Sequence, residues 1–386
     1  MMTSRERLLA ALNLEVSDRL PATTHHVMPY FLEKYMDGIS YPEFFEHFGL
    51  DPVFWVVSHK PDTAAGDYYD PSQGNPGFLQ PRYVCSDNWR IESEAIPHAK
   101  YREVRYRFLT PSKNLSMVLE SDVHTTWVSE RMIKEKADIE IFARYAPAPL
   151  CDVENVNKQV EEIGGKGMIR GTIPGFDIYG QPGCWQDAAV LFGIEALIMQ
   201  TFEDPEWVHS FLKIIQTRKE RFINSLAGAK FDLIEHGGGD ASSTVISPKI
   251  FDDFVAPYDA PLIDLMHRNG QKAVYHTCGG MMPLLERIAD MKPDAAETFT
   301  PVGMGGDVDL REAKKKIGQR MCMIGGFDQF HYFIGCSPED TRREVRRCFE
   351  EAGEGGGFIL SPSDHFFDAD LELVQAYADT AHQCLY

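Results

Sequence analysis

No CxxC pair occurs anywhere in the chain. Its eight cysteines (Cys85, Cys151, Cys184, Cys278, Cys322, Cys336, Cys348, Cys384) are scattered over 386 residues, so no disulfide framework is indicated and reduced thiols are expected. Runs of about 18 apolar residues are also missing. The opening "MMTSRERLLAALNLEVSDRLP" has no long apolar core after its charges, so neither a membrane span nor a signal peptide is supported. Basic residues are in deficit, 38 against 58 acidic, and the net charge of -20 sets up a field that repels nucleic acid and anionic lipid. A cytoplasmic protein without a nucleic-acid or membrane partner is the expectation. No GxGxxG or GxxxxGK[ST] motif follows a candidate strand, which removes the usual reason to favour an open nucleotide-binding sheet. No fixed repeat and no low-complexity segment stands out.

What is present is ordinary globular material. Hydrophobic residues are 44% and charged residues 25%, enough to build a large core. "SRERLLAALN" reads as a short amphipathic helix, broken before Pro21. Between residues 80 and 130, partial alternation with β-branched and aromatic residues reads as inserted β-hairpins, in which Trp89, Phe108 and Trp127 form an apolar lid or pack on the main body. After residue 150 the order becomes strand, loop, helix. The strands are "KGMIRGTI", "KFDLIEH", "QKAVYH", "DAAETF", "RMCMIGGF" and "GGFILS". "SPEDTRREVRRCFEEAG" reads as a helix capped by Ser337, with Pro338 in its first turn. "SPKIFDDFVAPYDAPLIDLMHRNG" starts alike, but Pro257 and Pro261 should break or kink it. Repeated βα units imply a parallel sheet under helices, as in a closed barrel or an open sheet.

In a barrel the loops after the strands carry the chemistry. The polar residues there are Glu235, His236, Asp240, His276, Cys278, Glu297, Asp328, Asp364 and His365. His276 and Cys278, two apart on an extended strand end, share a face and can meet one ion. Asp364, or failing that His365, is the candidate third ligand. The plainer alternative is a hydrogen-bonded core histidine beside a small buried thiol. Asp240, in "GGGD", is a candidate general base or a turn residue. His25 and His26, in "THH", end an early strand-like segment and either face the site or lie on the surface.

These segments together resemble the uroporphyrinogen decarboxylase superfamily. The resemblance runs through "RERLLAALNLEVSDRLP", "FEDPEWVHSFL", the stretch from "FDLIEHGGGDASS" to "YHTCGG" and "AAETFTP", then "GDVDLREAKKKIGQRMCMIGGFDQ" and "GGFILSPSD". It is closer to the cobalamin-associated methyltransferase branch. The family's decarboxylases carry an Arg-rich early motif, whereas "PATTHHVMPYFLEKYM" has no arginine. The resemblance implies one (β/α)8 TIM-type barrel over 1–386, with the 80–130 region inserted in it and the site in its C-terminal mouth. It implies Zn2+ on the His-x-Cys pair, matched here by His276 and Cys278. A cysteine expected near the last strand is replaced by "SPSD", which puts Ser363 or Asp364 there. Asp240, Glu235 and His236 would be catalytic, and His25, His26, Glu297, Asp328 and His365 would line the substrate. The implied activity is methyl transfer from a small donor, such as an O-methylated aromatic, to a corrinoid carried by a partner protein. The alternatives are transfer to a thiol, a cofactor-free decarboxylase, and a binding protein without turnover.

Overall fold

The computed structural model describes residues 2–70, 83–97, 100–176 and 179–386. Seven parallel strands form the central sheet: β1 (Val53–Trp55), β2 (Met168–Thr172), β3 (Leu233–Gly237), β4 (Ala273–His276), β5 (Ala295–Thr298), β6 (Cys322–Phe327) and β7 (Phe358–Pro362). Each pairs with the next in chain order, the ordering of a TIM-like α/β fold. All six strands read from the sequence are present, and β1 is added to them.

Among the described residues there are seven strands in this sheet where eight were expected. The eighth position is taken by a short bridge at Ala22. Leu360 N–H donates to Pro21 O (2.9 Å), Thr23 N–H to Leu360 O (3.0 Å), and Asp51 N–H to Ala22 O (2.8 Å). One short segment thus bonds to β7 and to Asp51, two residues before β1. Pro21 has no N–H to continue a ladder, which limits the segment to a bridge. The buried Asp51 carboxylate holds this junction, accepting from Arg7, Arg19 and the Ala22 amide.

Alternation along the strands sorts side chains into two layers. Val53, Met168, Leu233, Val274, Ala295, Cys322, Ile324 and Ile359 share one cluster with Leu8, Ala11 and Leu12 of the N-terminal helix Ser4–Leu12. The sheet interior is therefore a packed apolar floor. Neighbours one residue along, such as Ile169, Ile234, Tyr275, Ala296 and Leu360, join the larger cluster with the helices. Continuing the inward series by two residues from the floor gives Trp55, Arg170, Glu235, His276 and Glu297. The same period that builds the core thus aims the polar residues.

Residues 90–130 form a four-stranded antiparallel meander, Arg90–Ile96, Arg102–Leu109, Leu115–Ser121 and Thr126–Glu130. The boundary placed at residue 80 lies outside the described residues. Trp89 and Phe108 are fully buried and stacked, with ring centroids 5.0 Å apart, against Phe142 and Phe176. They are core residues of the junction between meander and sheet. The hairpin tip instead reaches the rim of the mouth, where the His124 ring lies 4.6 Å from Tyr30 and 4.7 Å from Phe367.

Pro338–Ala352 is a helix with Ser337 and Asp340 in a reciprocal capping box. The segment after Ser247 stays helical through its prolines. A π-helical turn, Phe251–Val255, precedes Pro257 and shifts the hydrogen-bond ladder, and helix Ala256–Arg268 then runs across Pro261.

Candidate active site in the barrel mouth

Arg170 is the hub of the mouth. It sits in the middle of β2 and is only 3% exposed. Its Nη2 donates to Glu235 Oε2 (2.9 Å) on β3 and to Glu297 Oε1 on β5, and its guanidinium lies 4.4 Å over the Trp55 ring. A buried charge survives only when paired, and here one arginine meets two carboxylates. The single charge within the strand Met168–Thr172 was the available signal for this residue, which the sequence reading passed over. Trp55 was missed with its three-residue strand.

Glu297, 1% exposed, connects this hub to the thiol. Its Oε1 also lies 2.8 Å from His276 Nδ1, and His276 Nε2 lies 3.1 Å from Cys278 Sγ. The result is a chain Arg170, Glu297, His276, Cys278. Burial by itself would raise the Glu297 carboxyl, but Arg170, His25 and His276 hold it well below the ordinary range. Burial alone would lower His276, and the Cys278 sulfur and Glu297 carboxylate more than reverse this, pushing it well above the usual imidazole value.

The loop carrying Cys278 is clamped from both sides. Gly279 N–H donates to Thr300 Oγ1 (3.2 Å) and Gly280 N–H to Thr244 Oγ1 (2.7 Å), while Met281 N–H and Met282 N–H both donate to Asp307 Oδ1. Gly279 has φ +88°, and a Cβ there would stand 2.8 Å from Thr244 Oγ1. Only glycine fits.

His25 joins from the bridging segment. Its ring stacks on His276 with centroids 5.2 Å apart, and its Nδ1 lies 3.6 Å from Glu297 Oε2. His26 stacks on Trp55 at 4.8 Å, and burial, helped by His25 and Arg170, pushes it well below the usual histidine value. His25, His276 and Glu297 offer ligand atoms within 4.8 Å of one another and could hold a metal ion.

Other sequence candidates lie apart. His236 is the neighbour of Glu235 and so points the opposite way, into the helix layer. It is fully buried there, its Nε2 3.1 Å from Asp259 Oδ1 and its Nδ1 3.1 Å from Pro182 O. That position suits a structural histidine. Asp328 caps helix Gln329–Tyr332 and lies 2.9 Å from His331 Nδ1. Asp364 pairs with His365 (2.9 Å). Burial opposes its ionisation, but the His365 contact and the charge of His25 bring it down to about 2. Neither Asp364 nor Cys278 belongs to the group of three candidate ligands, His25, His276 and Glu297, among the described residues. Asp240 accepts from Gln186 Nε2 (3.0 Å), and burial raises it against the pull of Arg131. Its neighbour Gly239 faces Cys278, for a Cβ there would be 3.8 Å from the sulfur.

The residues present fit zinc. A thiol sulfur and an imidazole nitrogen converge at 3.1 Å, close to the roughly 3.5 Å that separates nitrogen and sulfur around a tetrahedral zinc. The other ring nitrogen is held by a carboxylate, the arrangement that fixes a ligating histidine's tautomer and orientation.

Among the described residues no helix is long and apolar enough to cross a membrane. Curated proteins with similar sequences include the uroporphyrinogen decarboxylases of Psychromonas ingrahamii, 25% identical over 61% of this chain and 66% of that protein, and of Pseudoalteromonas atlantica, 25% identical over 65% and 69%. The match to the first thus spans slightly under two thirds of its length. In fold the chain is similar to a methyltransferase from Methanosarcina mazei, with a TM-score of 0.62 and 16% identity over 99% of both chains. The family model described as uroporphyrinogen decarboxylase (URO-D) matches residues 179–384, more than half of the sequence and all of its strands from β3 onward, and the protein belongs to that family.

Proposed function

We propose that the chain is a zinc-dependent methyltransferase of a corrinoid methyl-transfer system. In this reading it moves a methyl group from a small, oxygen-linked donor to a corrinoid on a partner protein. The observation that carries the reading is the chain Arg170, Glu297, His276, Cys278, which brings one nitrogen and one sulfur together and holds the imidazole from behind.

His276 Nε2 and Cys278 Sγ would hold the ion. His25, stacked on His276 and grouped with it as a candidate ligand, would be the third, in place of Asp364. Zinc bound there would supply a Lewis acid that eases departure of the oxygen losing its methyl group. The protein's own residues prepare that step. Glu297, accepting from His276 Nδ1, would set the tautomer in which Nε2 binds once its own proton has left. Arg170 keeps Glu297 ionised. Asp240, raised by burial and following the Gly239 that faces Cys278, would be the group to exchange a proton with the departing oxygen. The aromatic rim of Tyr30, His124, Phe367 and His365 suits a flat donor, and the meander tip carrying His124 would cover it as a lid.

The names of the curated relatives favour a second reading, a carboxy-lyase. It is ranked lower because the mouth's buried arginine is already committed to two carboxylates. The two readings separate in one assay. Zinc-loaded protein, a methoxylated aromatic and cob(I)alamin are expected to give methylcobalamin, followed by its absorbance, and chelation should abolish the signal. Turnover that persists after complete metal removal would contradict the methyltransferase reading.

Zinc uptake should also depend on pH with a definite sign. The proton that bridges His276 and Cys278 must leave before the ion binds, and the raised His276 value makes that costly at low pH. Competition titrations between about pH 6 and 8 are expected to show affinity rising at each step. A flat profile would count against these ligands.

A further inference from the structure

Thr298 occupies a backbone conformation that β-branched residues rarely adopt. Its φ is +84°, and Phe299 follows at +46°. Such a geometry persists only where the surroundings over-determine it, and it gathers at functional sites. Two features hold it here. The Thr298 side-chain hydroxyl donates to the carbonyl of Thr277. Across the ladder, its register partner on β6 is Gly325, where a Cβ would stand 2.2 Å from the Thr298 carbonyl oxygen. β6 therefore carries glycine at the point where the reversed Thr298 backbone turns into it.

The position of these contacts gives them a function. Thr298 directly follows Glu297, the carboxylate that orients His276. Thr277 lies between His276 and Cys278. One hydroxyl thus ties the residue after the orienting carboxylate to the residue between the two candidate ligands. The other side-chain clamps on this loop, from Thr244, Thr300 and Asp307, all act beyond Cys278.

We propose that Thr298 is a positioning residue, which through its hydroxyl on the Thr277 carbonyl sets the spacing of His276 Nε2 and Cys278 Sγ for metal. This rests on the reading of His276 and Cys278 as a metal pair. Thr298→Val keeps the shape and the branched Cβ and removes only the hydroxyl. Zinc affinity, from competition with a chromogenic chelator, is expected to fall about tenfold in Thr298→Val and to recover in Thr298→Ser, with the melting temperature nearly unchanged. Equal affinity in wild type and Thr298→Val would overturn the proposal. Hydrogen exchange of residues 277–282 in zinc-free protein supplies a readout independent of metal. Faster exchange in Thr298→Val, restored in Thr298→Ser, supports the positioning role even if the wild type binds no zinc, a result that would remove only the metal reading. Unchanged exchange would overturn the role. If Thr298→Val does not fold, Thr298→Ala removes the same hydroxyl and takes its place in both measurements.

Discussion

Replacing Arg170 by methionine is expected to lower stability by about 3–5 kcal/mol, since breaking a buried ion pair strands the partner's charge. The side chain is 3% exposed, and Glu297, which it neutralises, is 1% exposed. Methionine fills much of the same space over Trp55, so the loss is electrostatic and not a cavity effect. The pH dependence carries the signature. In the wild type the Glu297 carboxyl lies below its unfolded value, so its contribution is present above that value and lost only as pH falls through the depressed folded one. Without Arg170, only His25 and His276 oppose the burial that raises this carboxyl, so the variant loses much of that contribution wherever the carboxyl is ionised. Urea denaturation near pH 5 and near pH 8 should therefore show the larger deficit at the higher pH. Arg170→Lys should recover only part of it, because an ammonium cannot reproduce the guanidinium geometry that serves both carboxylates. A deficit below about 1 kcal/mol at both values would mean that Arg170 does not hold the mouth together.

Much of the fold was legible because the strands from β2 onward are short apolar runs closed by Gly, Asp or His. β1 was not, since three residues carry no period, and the eighth strand failed because Pro21 cannot donate into a ladder. The site was legible where local spacing sufficed. His276 and Cys278 share a face because they are two apart. Glu235 and His236 are adjacent, so at most one can face the mouth. Alternation inward from Leu233 selects Glu235, and His236 goes to Asp259 on the following helix. Arg170 was hidden for another reason. Its partners lie 65 and 127 residues away, and no local pattern reports a contact of that separation. The strain at Thr298 is likewise a property of the paired backbones of β5 and β6 and not of the string "AAETFTP".

The reading of the mouth as a metal centre depends on whether one nitrogen and one sulfur hold an ion. Losing either should have a large effect, because a site of three protein ligands reduced to two has little left to bind with. His276→Ala removes the nitrogen and frees Glu297 to the Arg170 pair alone, while Cys278→Ser keeps the shape of the loop and removes the thiolate. Both variants should stay folded, since neither side chain belongs to the apolar floor. The decisive measurement is zinc per polypeptide by mass spectrometry, after loading and exhaustive dialysis, in wild type, His276→Ala and Cys278→Ser. Stoichiometric zinc in the wild type and almost none in either variant is the expected result; a wild type that retains no zinc, or variants that retain it fully, would contradict the assignment of His276 and Cys278 as the heart of the site.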